Sequence, residues 1–418
     1  VKERAPVEIA LENGLRVILV KRPYSNTVAI KIYVKVGSRH ENDTCSGVSH
    51  LVEHILSRRR AEWSNNSILH EFENFGAKFV SSTAKEYTSY GLVTDSQWYQ
   101  KGITLLANML RNPCFESDIF DKEKETVKKE IKMYMDSQQL MWNMVDRMLW
   151  NGHSLGNPIL GSMESVVNLD QGAVAKHYED FYRPNNMVIC IAGDISEREA
   201  TETVEATLSG RERGNIIPMD VNEPPPLRGK ELFIEKDIHL THLILGMFGA
   251  GLKSSDRHIF EIINILLGQG ASSRLVNLLR EKYNLAYQIS SEMRAYEETG
   301  QFSVHVSIDS RNVQKVKELI TEELDRLKTI QVEDRELVRA KACYKQALAI
   351  VLETNMGIVS MVGKEALLAT IAPIERRISM IDSITGSDVK RVAKYLDTTN
   401  CVTLTMGPRV NSTILRKW

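Results

Sequence analysis

Polar and apolar residues alternate in two short runs near the start of the chain, Val7 to Leu11 and Leu15 to Lys21. Asn13-Gly14 lies between them, a dipeptide that accepts the positive φ angles of a tight turn, so the pattern predicts a β-hairpin. TVAIKIYVKV predicts a longer strand, and Gly37 to Gly47 reads as a polar loop leading into VSHLVEHIL, whose apolar residues recur at helical spacing and predict a buried helix. NSILHEFENFG predicts another helix, stopped at Gly76 by a left-handed cap, and AKFVSST and EYTSYGLVT predict two strands. Helical patterns then dominate from Ser96 to Tyr182. The continuously apolar NMVICIAGD that follows predicts a central strand, because only a strand covered on both sides dispenses with alternation.

Between Gly214 and Lys230 the composition turns to proline and polar residues, with Pro224 to Pro226 favouring an extended connection. A chain of 418 residues exceeds what one core organises. The expected division is therefore a domain over 1–213, a linker over 214–230 and a domain over 231–418. Beyond the linker the earlier grammar returns: a strand in THLILGMFGA, helices, strands in LAYQISSEMR and QFSVHVSI, long helices, and a strand in CVTLTMG. Asp95-Ser96 with Gln100-Lys101 is echoed by Asp309-Ser310 with Gln314-Lys315, each set leaving a strand and entering a helix. The predicted fold class is α+β: two structurally similar αβ domains, each a mostly antiparallel sheet with helices on one face.

Composition changes this picture little. Hydrophobic residues at 43% and charged residues at 26% are the balance of an ordinary globular protein. With 53 Lys plus Arg against 54 Asp plus Glu, no charge excess argues for nucleic acid or an anionic membrane. The five cysteines are widely spaced, odd in number and without C-x-x-C, which fits a reducing compartment. No apolar run approaches the roughly 18 residues of a membrane span, and VKERAPVEIA has no signal-peptide apolar region, so the expected location is cytoplasmic.

The chemistry concentrates in His50-Leu51-Val52-Glu53-His54, an H-x-x-E-H pattern. Positions i, i+3 and i+4 of a helix share one face, so both imidazoles and the carboxylate can converge on one point. A catalytic zinc needs a third protein ligand and an open position for water. ESDIFDKEKETVKKEIKMYMD reads as a long charged helix on which Glu123 and Glu130 lie two turns apart on one face. Glu130 could bind the metal there and Glu123 could orient a ligand. Taken alone, carboxylates in such a Lys/Glu run read as a solvated helix face, and their promotion to the site depends on a family resemblance.

Several segments together resemble the pitrilysin and mitochondrial processing peptidase family of inverted zincins, over nearly the whole chain. Leu11, Asn13 to Leu15 and Val17 match its L-x-N-G-L-x-V opening, and Gly37 to Arg39 with Glu41 match G-S-R-x-E. GAKFVSSTAKEYTSY, HSLGNPILGS, FYRPNNMVICIAGD and GQGASSRLVNLLREKYNLAY resemble further signatures in the right order. The resemblance implies that His50, His54 and Glu130 bind one Zn2+ per chain, that Glu53 is the general base, and that Glu123 supports catalysis. It also implies that Arg280 and Tyr287 match a paired arginine and tyrosine that contact substrate and the oxyanion. Family members of this size form half of a clam-shell chamber around unfolded peptides. A chain holding both residue sets suggests a homodimer, with a heterodimer as the alternative. Extended substrate strands would add to a sheet edge.

Two departures stand out. Val80 replaces the usual asparagine of the strand after Gly76-Ala77, putting one substrate hydrogen bond in doubt, and Ser57-Arg58-Arg59-Arg60 replaces a small, less basic stretch. The arginines suit either a solvated helix end or a site for acidic peptides or a protein partner. The glycine-rich loop of a processing α subunit is missing. The functional expectation is a zinc endopeptidase hydrolysing short or unfolded peptides. The alternatives are a non-catalytic scaffold or partner subunit and a dedicated precursor or leader-peptide maturation peptidase.

Overall fold

The computed structural model describes residues 5–58, 68–111, 113, 115–219, 224–225 and 229–408. Arg59 and Arg60 of the arginine run, and Pro226, lie outside them. Contacts group the described residues into two units. Those of segments 1–137, 157–221 and 349–371 form the first, and those of 138–156, 222–348 and 372–418 form the second.

The first unit holds a six-stranded sheet of β1 (Val7–Ala10), β2 (Arg16–Lys21), β3 (Thr27–Val34), β4 (Lys78–Thr83), β5 (Thr88–Asp95) and β6 (Met187–Gly193). The spatial order is β1-β2-β6-β3-β5-β4. β2 and β6 are parallel and every other neighbouring pair is antiparallel. The opening hairpin forms with Gly14 at φ 85° between β1 and β2, a value open to glycine at no steric cost. Every residue of β6 is buried, as its unbroken apolar run predicts.

The second unit holds β7 (Glu231–Glu235), β8 (Thr241–Ala250), β9 (Ala286–Ala295), β10 (Thr299–Ile308) and β11 (Val402–Gly407) in the order β7-β11-β8-β10-β9. β7 and β11 are parallel and the rest antiparallel. Leaving out β1, the two sheets share one strand order and one pattern of directions, which is the repeat the sequence suggested. Its local signature recurs too: Asp95 accepts from Gln97 N–H at 3.0 Å where β5 ends, and Asp309 accepts from Arg311 N–H at 2.9 Å where β10 ends. β7 is absent from the sequence reading, because three apolar residues between two glutamates give no alternation.

Helices α1 (Val48–Arg58), α2 (Ile68–Glu73), α3 (Tyr99–Arg111) and α4 (Ser117–Asp136) contribute to one core with the first sheet. Val17, Leu19, Ile30, Ile32, Ile189 and Ile191 supply its sheet side. Helical cover on one face was expected; the addition is on the other. Ile18, Val20, Ala29, Val188, Cys190 and Ala192 point the opposite way and pack under helix Asn355–Leu368, which comes from late in the chain. Tyr33 donates its hydroxyl to the carbonyls of Val359 and Ser360 at 3.2 Å each. Gly363 admits the Tyr33 ring, since a Cβ there would lie 2.4 Å from it.

The second sheet is covered reciprocally. Met141, Val145 and Leu149 of helix Gln139–Leu149, from early in the chain, pack on Ile244, Val402, Leu404 and Met406. Gly246 gives Val145 its room, a Cβ there being 2.9 Å from the valine. The physical reason is the same in both units. A central strand that is apolar on both faces would expose one of them to water at roughly 25 cal/mol per Å2 unless a second layer covered it.

Candidate metal centre

The loop before α1 fixes where that helix begins. Glu41, buried, accepts from Gly47 N–H at 2.7 Å and from Ser49 N–H at 2.8 Å. Burial pushes its pKa up to about 7, against the pull of those two amides. A carboxylate there meets orphan N–H groups and the positive end of the helix dipole. Gly47 has φ 92° and lies so close to Leu160 that a side chain would collide with its carbonyl. Leu51, Val52, Ile55 and Leu56 are then fully buried, which turns His50, Glu53 and His54 toward α4 and β4.

On α4, Phe120, Val127 and Ile131 enter the same core. Glu123 and Glu130 share that side of the helix, as their spacing requires. His50 Nε2 lies 3.0 Å and His54 Nε2 lies 3.5 Å from the same oxygen, Oε2 of Glu130. His54 Nδ1 lies 3.1 Å from Oε2 of Glu123. An ionised carboxylate can only accept, so Nδ1 carries a proton, and Nε2, turned to the centre, is the nitrogen that a metal ion would claim. Glu53 Oε2 accepts from the Thr83 hydroxyl at 2.5 Å and stands 3.5 Å from His50 Nδ1.

These donors fit zinc. Ligand atoms around a tetrahedral zinc with bonds of about 2.0–2.1 Å lie roughly 3.3 Å apart. The two N–O distances of 3.0 and 3.5 Å fall on either side of that value. Among the described residues, His50, His54 and Glu130 form the one group of three or more such side chains able to hold a metal ion, with ligand atoms within 4.8 Å of one another. Glu123 is only 3% exposed, whereas the Glu130 side chain is 38% exposed, so the centre is backed by protein on one side and reachable on another.

The electrostatics favour a dication. Burial alone would lower the His54 pKa, yet Glu123 and Glu130 raise it to about 9. His50 is likewise raised by Glu130 and Glu53 against burial. The two imidazoles hold the Glu130 carboxyl far below the usual carboxylate range. Three carboxylates thus surround two imidazoles, and a field that retains protons so strongly also attracts a divalent cation in their place.

The structure brings together His50, Glu53, His54, Glu123 and Glu130. Arg280 and Tyr287 lie in the second unit. Arg280 sits in a π-helical turn, 44% exposed and 2.9 Å from Glu281. Tyr287 is 78% exposed near the start of β9. Val80 is exposed on β4. Ser81 and Thr83, both polar on the inward side of β4, belong to no sequence motif assigned a role, and Glu41 enters the sequence pattern only as a motif position. An acid preceding the helix start was the available signal.

Two family models match the chain: "Insulinase (Peptidase family M16)" over residues 16–163 and "Peptidase M16 inactive domain" over residues 168–343. An "uncharacterized zinc protease" of Bacillus subtilis, YmxG, is 29% identical over 404 residues, covering 96% of this chain and 98% of the relative. The fold is similar to that of a protease from Helicobacter pylori, with TM-score 0.91 and 22% identity over 97% of this chain and all of the other. It is also similar to a chain of complex III2 from Candida albicans, with TM-score 0.84 and 21% identity over 96% and 95% of the two chains.

Proposed function

The chain belongs to peptidase family M16, and from that premise we propose that it is a zinc-dependent endopeptidase acting on short or unfolded peptides. The observation that carries the proposal is the convergence of His50, His54 and Glu130 on one point, with Glu53 alongside. Zinc held by those three groups would polarise a peptide carbonyl and acidify a water. Glu53 accepts the water's proton on its carboxylate and returns it to the departing amine. Glu123 keeps the His54 ring turned so that Nε2 faces the centre. Arg280 and Tyr287 are the proposed donors to substrate and oxyanion, and their exposure on the second unit leaves both accessible. Among the described residues strand β4 pairs with β5 alone, so its other edge can take an extended peptide, with Val80 offering an apolar contact there. A homodimer is the proposed assembly, since one chain carries both residue sets.

Digestion of an unbiased peptide library, with zinc and after chelation, tests the reading. Glu53→Gln should keep about one zinc per chain and lose cleavage; cleavage at the wild-type rate would reject Glu53 as the base. The likeness to a complex III2 chain favours a second reading, a non-catalytic subunit of a larger assembly. Less than stoichiometric zinc in the purified protein, with no peptide cleaved, would select it.

A further inference from the structure

The two histidines of the centre are treated differently at their outer nitrogens. His54 Nδ1 has its own carboxylate, Glu123 at 3.1 Å. His50 Nδ1 is buried without a hydrogen-bond partner, although Glu53 Oε2 is 3.5 Å away. That same oxygen accepts from the Thr83 hydroxyl at 2.5 Å, and Ser81 adds to the pull that lowers the Glu53 pKa. Ser81 and Thr83 are two apart on β4, so they project from one face of the strand, the face turned to α1. Ser57, farther along α1, donates to Ser81 at 3.4 Å.

We propose that Thr83, assisted by Ser81, is a positioning residue that holds the Glu53 carboxylate off His50 Nδ1 and so keeps it available as the base. This rests on the peptidase reading. An ionised carboxylate beside an unpartnered buried N–H would otherwise close the gap and become an orienter of His50, as Glu123 is of His54. A carboxylate in that role is no longer aimed at a reacting water. The hydroxyl on β4 decides between the two uses of one side chain.

The test is Thr83→Val, which preserves shape and β-branching and removes the donor, with Thr83→Ser as the conservative variant and Ser81→Ala as a second site. Thr83→Val should lower kcat by roughly tenfold to a hundredfold. KM should stay within about twofold, and zinc should bind as tightly or more tightly, because His50 gains an orienting carboxylate. Thr83→Ser should recover most of kcat, and Ser81→Ala should fall between. Damage to the fold would instead loosen zinc and leave Thr83→Ser no better than valine. That result, or an unchanged kcat in Thr83→Val, overturns the proposal. Nitrogen-15 NMR of the metal-free protein separates this inference from the peptidase reading. In Thr83→Val the His50 Nδ1 resonance should move to that of a carboxylate-bonded nitrogen, whether or not the wild type cleaves any peptide. A resonance identical to wild type overturns the proposal, whereas a wild type that binds zinc and cleaves nothing overturns the peptidase reading alone.

Discussion

Replacing Glu123 with alanine isolates the carboxylate that holds a metal-binding ring without touching the metal. Glu123 is 3% exposed, and its one described side-chain hydrogen bond goes to His54 Nδ1 at 3.1 Å. A hydrogen bond between a charged and a neutral partner contributes about 1.5–3 kcal/mol. Outer partners of metal-binding histidines are worth roughly 10- to 100-fold in affinity, or about 1.4–2.8 kcal/mol. The two figures agree, so Glu123→Ala should weaken zinc binding by that factor, and Glu123→Gln, which keeps an acceptor but no charge, by less. Competition against a chromophoric chelator measures the constant directly. Glu125→Ala is the matched control: that residue lies on the same helix, exposed and paired with Lys128 at 2.6 Å, and its loss should leave zinc affinity within about twofold. Equal affinities for Glu123→Ala and Glu125→Ala would refute the assignment of Glu123 as the orienter of His54.

Two further predictions concern stability. Glu41→Ala leaves the buried N–H groups of Gly47 and Ser49 without their acceptor and should cost about 3 kcal/mol or more in urea unfolding of the metal-free protein; a loss under about 1 kcal/mol would show that α1 does not depend on this cap. In the second unit, burial and then the neighbouring His242 lower the His305 pKa to about 4. The unfolded chain therefore takes up that proton first as pH falls from about 6.5 to 4, and roughly 3 kcal/mol of stability present above that window is lost across it. His305→Gln should flatten the dependence, and an equally steep pH profile in that variant would contradict it.

Much of the centre was legible because it is local. H-x-x-E-H fixes its own geometry once α1 forms, whereas the meeting of Glu123 and Glu130 with its histidines, 69 and 80 residues away, was legible only through the family resemblance. The Asn13-Gly14 turn and the unbroken apolar run of β6 also carry their structure within a few residues. What escaped is set by distant partners. Thr83 meets Glu53 across thirty residues, and no pattern in KFVSST shows that two of its hydroxyls face a carboxylate. β7 is a short strand whose one partner among the described residues, β11, is supplied from late in the chain. The sequence likewise shows that NMGIVSMVGKEALL is apolar on most sides, hence enclosed, but not which sheet encloses it.

The reciprocal loan of helices sets an order on biosynthesis. The strands of the first sheet leave the ribosome by Gly193, yet the helix that shields Ile18, Cys190 and Ala192 is not finished until Leu368. A nascent chain therefore carries that bare surface through about 175 further residues of translation. Truncation before Asn355 would leave the sheet permanently open, a natural substrate for chaperones and quality control.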